Sequence, residues 1–256
     1  ATFTPTSLLS VGAGTFDATS GSLDANHVAI SGGILKAPDA GGDFFVSGNW
    51  TKTTGTFTHN SGTVTFDGDG PTTELTSGGA SFFDVVVGTG TKSGSLMLAD
   101  TADINNSFTF DNTVGSALDL NGKTLKYSGD TLDFTKLDNL FSTNSTFVFD
   151  RAVAGTTNLT SDTLAFGNLT KSGLDTLVAV DDLMVNGALT LSKGAFTAPS
   201  NLYVGGNMNL TGLTTFNHNN GTVIFEGTTN LTSALKAFND VTIGGGGDAK
   251  LKLLST

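Results

Sequence analysis

Hydrophobic residues recur at every second position in short runs along most of the chain. Gly, Asn, Asp or Ser bounds each run, and the residue between two hydrophobic ones is commonly Thr, Asp or Lys, as in the pairs Val64/Phe66, Phe108/Phe110, Leu118/Leu120, Leu125/Tyr127 and Leu189/Leu191. A period of two is typical of a β-strand that buries one face. The pattern therefore predicts an all-β chain of short, half-buried strands.

Two distant segments of the chain have nearly the same sequence. Residues 57–68 read FTHNSGTVTFDG and residues 216–227 read FNHNNGTVIFEG. Each is followed by Leu-Thr-Ser and then by a related strand, SFFDVVVG at 81–88 and AFNDVTIG at 237–244. A more divergent copy lies between them, around NSTFVFD at 144–150, so the repeating unit has about 80 residues.

Evenly spaced short strands suit a sandwich, a barrel or a solenoid, but only a solenoid accounts for the internal copies. A coil of roughly 20 to 25 residues with two or three strands would stack equivalent positions. We predict a parallel β-helix (β-solenoid) built from about three degenerate repeats of roughly 80 residues. Residues 1–45 are expected to form an N-terminal arm or the first coils, and residues 46–256 a single elongated solenoid region.

The segments GNWTKTTGTFTHNSGTVTFDG (48–68), LDLNGKTLKYSG (118–129) and LTLS (189–192) resemble repeats of large secreted bacterial and archaeal surface proteins. Those proteins are similar to filamentous haemagglutinin and the autotransporter adhesins. The resemblance covers most of residues 45–256 and implies a right-handed parallel β-helix. Its motifs belong to an architecture and not to an active site, so it implies no functional residue.

Composition and charge narrow the possible partners and the compartment. The formal net charge is −11 and Arg151 is the only Arg, so no basic surface is expected for nucleic acid or anionic lipid. The chain has no Cys and no apolar run long enough to span a membrane. It begins at Ala1 without an initiator Met, as after removal of a signal peptide, although a shortened chain would begin in the same way. We expect an extracellular or cell-surface location.

Candidate metal ligands are few. His59 and His218 occupy equivalent places in the copies, but no third ligand recurs with them, so we interpret both as polar turn residues. Acidic residues in predicted turns, Asp67 with Asp69 and Asp181 with Asp182, lack the rhythm of calcium-binding β-rolls. Calcium at one such turn stays an alternative, and we assign no metal and no cofactor.

Catalytic chemistry has little support in the sequence. Polysaccharide-cleaving β-helices cluster acids with Arg or Lys on one face, whereas this chain has one Arg and no recurring acid cluster. The three His residues (His27, His59, His218) lack the context of a nucleophile elbow. No helix follows the Gly run at 244–247, so we interpret it as a flexible turn and not as a phosphate site. We predict that the protein is not an enzyme.

The first and last segments carry the functional hypothesis. The third copy stops in mid-unit without a polar cap, and residues 2–11 form an apolar segment that is either a first coil or an arm donated to a neighbour. We expect a structural subunit of an extracellular filament, polymerising head-to-tail with copies of itself. The predicted contacts are Phe3, Leu8, Leu9, Val11, Leu251, Leu253 and Leu254.

Two alternatives place the function elsewhere. A monomeric surface adhesin would bind carbohydrate or a host through its lateral face, but the expected aromatic platform is not evident because Trp50, Tyr127 and Tyr203 are scattered in sequence. Surface glycans stay possible partners on that hypothesis. A degraded polysaccharide-active enzyme would need clustered acids on one face. The repeats and the apolar terminal segments favour a structural role.

Overall fold

A computed structural model describes residues 2–4, 8–68, 72–92, 94–111, 115–244 and 249–254. Within these residues, short parallel strands stack as a β-solenoid of about 11 turns and no helix occurs, which confirms the predicted fold class. Contacts divide the chain into two compact units, Ala1–Leu125 with Lys136–Phe141, and Lys126–Thr135 with Ser142–Thr256. The division predicted at residue 45 stays a prediction.

The strands of the first unit have three or four residues in most cases. In chain order they are β1 (Thr2–Phe3), β2 (Leu8–Val11), β3 (Thr15–Asp17), β4 (Ser22–Ala25), β5 (His27–Ile30), β6 (Ile34–Lys36), β7 (Phe44–Val46), β8 (Trp50–Lys52), β9 (Thr56–Thr58), β10 (Thr63–Phe66), β11 (Thr73–Thr76), β12 (Ser81–Val87), β13 (Ser95–Leu98), β14 (Ala102–Phe110) and β15 (Ala117–Asp119). Strand β16 (Thr124–Tyr127) runs across the division between the units.

The second unit begins with β17 (Thr131–Asp133), while β18 (Asn139–Phe141) belongs to the first. The remaining strands are β19 (Thr146–Phe149), β20 (Thr156–Thr160), β21 (Ala165–Phe166), β22 (Asn168–Lys171), β23 (Thr176–Ala179), β24 (Leu183–Val185), β25 (Leu189–Leu191), β26 (Ala195–Thr197), β27 (Asn201–Val204), β28 (Met208–Asn209), β29 (Thr215–Asn217), β30 (Thr222–Phe225), β31 (Thr228–Thr232), β32 (Asp240–Ile243) and β33 (Lys250–Leu253).

Each unit has three faces, and each face is a stack of parallel strands. In the first unit the stacks are β1-β4-β7-β10-β12-β14, β2-β5-β8-β11-β13-β15-β18 and β3-β6-β9. In the second they are β21-β24-β27-β30-β32, β19-β22-β25-β28-β31-β33 and β17-β20-β23-β26-β29.

One turn of the solenoid takes about as many residues as the repeats predict. Aligned residues in successive turns are 19 positions apart at Leu9 and Val28, and 25 apart at Trp50 and Leu75. Alternate side chains of each strand point inward, so the pattern in β10 and in β30 is half-buried, buried, half-buried, buried. The hydrophobic positions of the alternating sequence pattern are thus the positions that face the interior.

Inward-facing residues of successive turns form apolar columns inside each unit. One column of the first unit aligns Ala25, Val46, Phe66, Val87 and Phe110, all of them buried. A column of the second unit aligns Phe147, Leu169, Leu189, Met208 and Leu231 in the same way. An inward side chain in the middle of a column is therefore covered by the turns before and after it.

Tight turns at the corners let each coil lie directly on the preceding coil. At the turn 218–221, the Gly221 amide donates to the His218 carbonyl at 2.8 Å, and Asn219 and Asn220 have φ values of 51° and 55°. Two central residues with positive φ are the mark of a type I′ turn, which Asn tolerates. The copy at 59–62 repeats this geometry, with φ values of 49° and 56° at Asn60 and Ser61.

Candidate functional site

The segment that was predicted to be either a first coil or a free arm is part of the first turn. Strand β1 pairs with β4, β2 with β5 and β3 with β6, all in parallel. The described residues of the segment are 2–4 and 8–11, while Pro5, Thr6 and Ser7 lie outside the described residues. The first turn thus presents three strands whose other edges pair with no strand in the described part of the chain.

The predicted contact residues of the first turn differ in exposure. Phe3 is 49% exposed although it is aligned with the buried Leu23, so it is an inward-facing residue without a covering turn. Leu8 points outward and is also 49% exposed. Leu9 and Val11 are buried in the core beneath β5.

A cavity of about 400 Å³ opens beside Phe3. The rings of Phe3 and Phe16 form one wall, with their centroids 5.3 Å apart, and Leu23 and Ala18 add apolar surface. Hydroxyl groups of the loop 19–22 complete the lining. The first turn therefore offers an apolar recess formed by the uncovered ends of interior columns.

An ion pair fixes the rim of this recess. The Lys36 ammonium donates to the Asp17 carboxylate at 2.9 Å and ties β6 to β3. This bond, with two further hydrogen bonds from Thr19, lowers the pKa of Asp17 from its usual 3.8 to about 2. The charge on Asp17 therefore persists to strongly acidic pH.

The last turn exposes residues that belong to interior columns. Val241 and Ile243 of β32 are aligned with the buried Val223 and Phe225, yet they are 45% and 52% exposed. Leu253 of β33 continues the column that contains Leu231, and it is 72% exposed. Of the other predicted contacts, Leu251 is half-buried and Leu254 is 39% exposed.

The equivalent positions in the first copy are covered. Val85 and Val87 of β12 correspond by repeat to Val241 and Ile243, and they are 1% and 0% exposed. Strand β14 covers them, with Phe108 beside Val85 and Phe110 beside Val87. The last turn thus has the inward side chains of an ordinary turn, but no strand like β14 covers them within the described residues.

The predicted contacts do not include every exposed residue of the interior columns. They leave out Val241 and Ile243, which are more exposed than Leu254, and the half-buried aromatic residues Phe16 and Phe238. The signal that would have found three of these four was present: AFNDVTIG at 237–244 aligns with the inward-facing strand SFFDVVVG at 81–88. A pattern of repeats identifies equivalent positions but does not say which of them lacks a covering turn.

His59 and His218 lie in turns, and each accepts a hydrogen bond from the backbone amide two residues further along the chain. The Nδ1 atom of His59 accepts from the Ser61 amide at 3.0 Å, and that of His218 accepts from the Asn220 amide at 3.1 Å. His59 also stacks on Phe83, with ring centroids 5.6 Å apart. Both side chains therefore support the tight turns in which they occur.

The candidate calcium turns contain acids with partners in the protein. Asp67 accepts from the Ser47 hydroxyl at 2.8 Å and from Lys92 at 3.1 Å. Asp181 accepts two backbone amides, those of Ser161 and Asp162, and so clips successive turns together. Asp69 lies outside the described residues, as do Gly245, Gly246 and Gly247 of the Gly run.

No three His, Cys, Asp or Glu side chains come close enough to hold a metal ion in the part of the chain that the structure describes. The same described residues include no helix of the length and hydropathy needed to cross a membrane. Arg151 forms an ion pair with Asp130 and also donates to the Thr156 carbonyl at 3.1 Å. Its guanidinium group thus bonds within its own corner of the solenoid.

No protein-family model matches this chain, and the searches of curated proteins and of solved structures also found no match. The first and last turns are thus identified from the geometry of this chain alone.

Proposed function

We propose that the protein is the structural subunit of an extracellular filament and polymerises head-to-tail through its first and last turns. The observation that carries the proposal is the exposure of interior columns at both turns, with Phe3 uncovered at the first and Val241, Ile243 and Leu253 at the last. Exposed strand edges and apolar side chains favour pairing with another chain.

The two surfaces differ, and the difference favours a chain of copies over a closed dimer. A contact between unlike surfaces leaves one free surface of each kind on every complex, so growth continues unless a ring closes. The local charges also differ: residues 1–21 carry one Asp and no Lys or Arg, a net charge of −1, whereas residues 236–256 carry three Lys and two Asp, a net charge of +1. Opposite charges steer the two surfaces together.

The resemblance to filamentous haemagglutinin and autotransporter adhesins supports the rest of the proposal. On that basis the solenoid is a right-handed β-helix, secreted after signal-peptide removal and located at the cell surface. Its partners are copies of itself, and it carries out no catalysis. The resemblance rests on repeat sequences such as 48–68 and 118–129, which are architectural motifs.

Negative-stain microscopy and light scattering on the full chain test the proposal. The test compares the unaltered protein with a variant that carries Val241→Asp and Ile243→Asp, because two carboxylates in the exposed columns would have to be desolvated in the contact. The matched control carries Val153→Asp and Val180→Asp, which add the same two charges at residues of similar exposure, 60% and 59%, away from the last turn. We expect filaments from the unaltered protein and from the control, and single copies from the double variant.

Circular dichroism of the double variant, which should match that of the unaltered chain, separates a failed contact from a failed fold. A monodisperse monomer from the unaltered protein at every concentration would contradict the filament proposal. The lateral-face adhesin would then become the better account.

A further inference from the structure

We infer that two copies join by end-on stacking in a defined register, in which Phe3 and Leu9 of one copy continue the interior columns that end at Val241 and Leu253 of another. This inference rests on the proposed function and specifies its joint. The partner is a second copy of this chain, and the joint repeats the packing that the chain already uses between its own turns.

Column A connects Phe3 with Val241 through the repeats. The registers of β1, β4, β7 and β10 carry the column from Phe3 to Val64. Val64 is then aligned with Val85, and the equivalent residue of the third copy, Val223, is aligned with Val241. Phe3 therefore starts the same kind of column that Val241 ends.

Column B connects Leu9 with Leu253. Leu9 leads through β5 and β8 to Leu75, which is the Leu of the first Leu-Thr-Ser tripeptide. The Leu of the equivalent tripeptide in the third copy is Leu231, and Leu231 is aligned with Leu253. A new turn placed on β33 would thus have Leu9 next to Leu253.

End-on stacking also fits the first turn better than strand donation does. A donated arm must leave its own chain, but β1, β2 and β3 already pair with the second turn. Leu9 and Val11 are buried there, so donation would lose as much apolar contact as it gained. Stacking keeps these contacts and covers Phe3 in addition.

The register makes a sharp prediction about outward-facing neighbours. If Phe3 lies beside Val241, then Thr4 lies beside Thr242, and a slip of two residues would instead place Thr4 beside Asp240. Aligned residues of adjacent parallel strands are about 4.8 Å apart, within the range of a disulfide, whereas a slip of two adds roughly 6.6 Å along the strand. The chain has no Cys, so an engineered pair reports this contact alone.

The experiment compares two double variants of the full chain, Thr4→Cys with Thr242→Cys and Thr4→Cys with Asp240→Cys. Each is assembled under reducing conditions, checked by light scattering, oxidised, and separated on a non-reducing gel. We expect the first variant to give a ladder of cross-linked dimers and higher oligomers at least about tenfold stronger than the second, because only its Cys pair meets disulfide geometry.

The possible results distinguish an error in the proposed register from an error in the proposed function. The two variants could form filaments in the microscope and still give ladders of equal strength, or a stronger ladder for the Asp240→Cys variant. Either result would overturn the proposed register but not the filament proposal. An unaltered protein that never assembles would overturn both.

Discussion

Lys171 and Asp175 form an ion pair in which both side chains are fully buried. The Lys171 ammonium donates to Asp175 Oδ1 at 2.7 Å and to the Gly173 carbonyl at 2.8 Å, while Asp175 Oδ2 has no hydrogen-bond partner among the described residues. Lys171 occupies an inward-facing position, aligned with Phe149 before it and Leu191 after it. A charged residue thus interrupts an otherwise apolar column, and its burial is tolerated because Asp175 supplies the opposite charge.

Removing one member of this pair should lower the free energy of unfolding more than removing both. We expect Lys171→Met to lower the free energy of unfolding by about 3–5 kcal/mol, because the Asp175 carboxylate stays buried without a counter-charge. The double variant Lys171→Met with Asp175→Leu should recover most of that loss, since both charges are then gone. Urea unfolding followed by circular dichroism measures both. A single variant as stable as the unaltered protein would show that the pair contributes nothing.

Corner turns set how closely successive coils approach, and glycine makes the approach possible. A Cβ added at Gly221 would lie 2.1 Å from the Pro199 carbonyl oxygen, and at the equivalent Gly62 it would lie 2.3 Å from that of Pro38. Both contacts are with backbone, which cannot move without shifting the neighbouring turn. Gly62 and Gly221 are thus required by stacking between turns.

We expect Gly221→Ala to destabilise the protein by about 1–3 kcal/mol, as overpacking does in other interiors. The matched control is Gly90→Ala, where an added Cβ meets no heavy atom within 4 Å. That control should stay within about 0.5 kcal/mol of the unaltered protein. Thermal unfolding of the two variants side by side measures the difference, and equal losses would contradict the role assigned to the glycine.

The sequence predicted the strands and the solenoid because buried residues in this fold alternate with exposed ones along each strand, and the hydrophobic residues follow the same alternation. Val64 and Phe66 are inward and buried, as their spacing indicates, and the repeats placed Val223 and Phe225 in the same role. The candidate site was harder to predict. The alternation makes Val85 and Val241 equivalent, and only the stacking of turns distinguishes the covered residue from the exposed one.

The buried ion pair left no readable signal either. Lys171 lies in a segment, TKSG, that recurs at 91–94 and looks like an ordinary polar turn. Its burial depends on where the chain turns after β22, and Asp175 comes within reach only in the folded corner. Such contacts depend on three-dimensional detail that a period of two does not encode.

At the scale of the whole molecule, net charge and exposed apolar surface have opposite effects on association between copies. A net charge of −11 makes copies repel one another in most orientations and keeps a protein soluble. The first and last turns are the exception, because they combine uncovered columns with local charges of opposite sign. In the proposed filament, assembly is therefore directed to one contact, in which each copy adds its own turns to those of the copy before it.

Electron cryo-microscopy of the assembled protein, at a resolution that separates strands, tests this account most directly. End-on stacking predicts that β1 of one copy lies beside β32 of the preceding copy at the usual strand spacing of about 4.8 Å, so that the solenoid continues across the joint. Copies that contact each other through other faces, that exchange β1 to β3, or that stay single would contradict it.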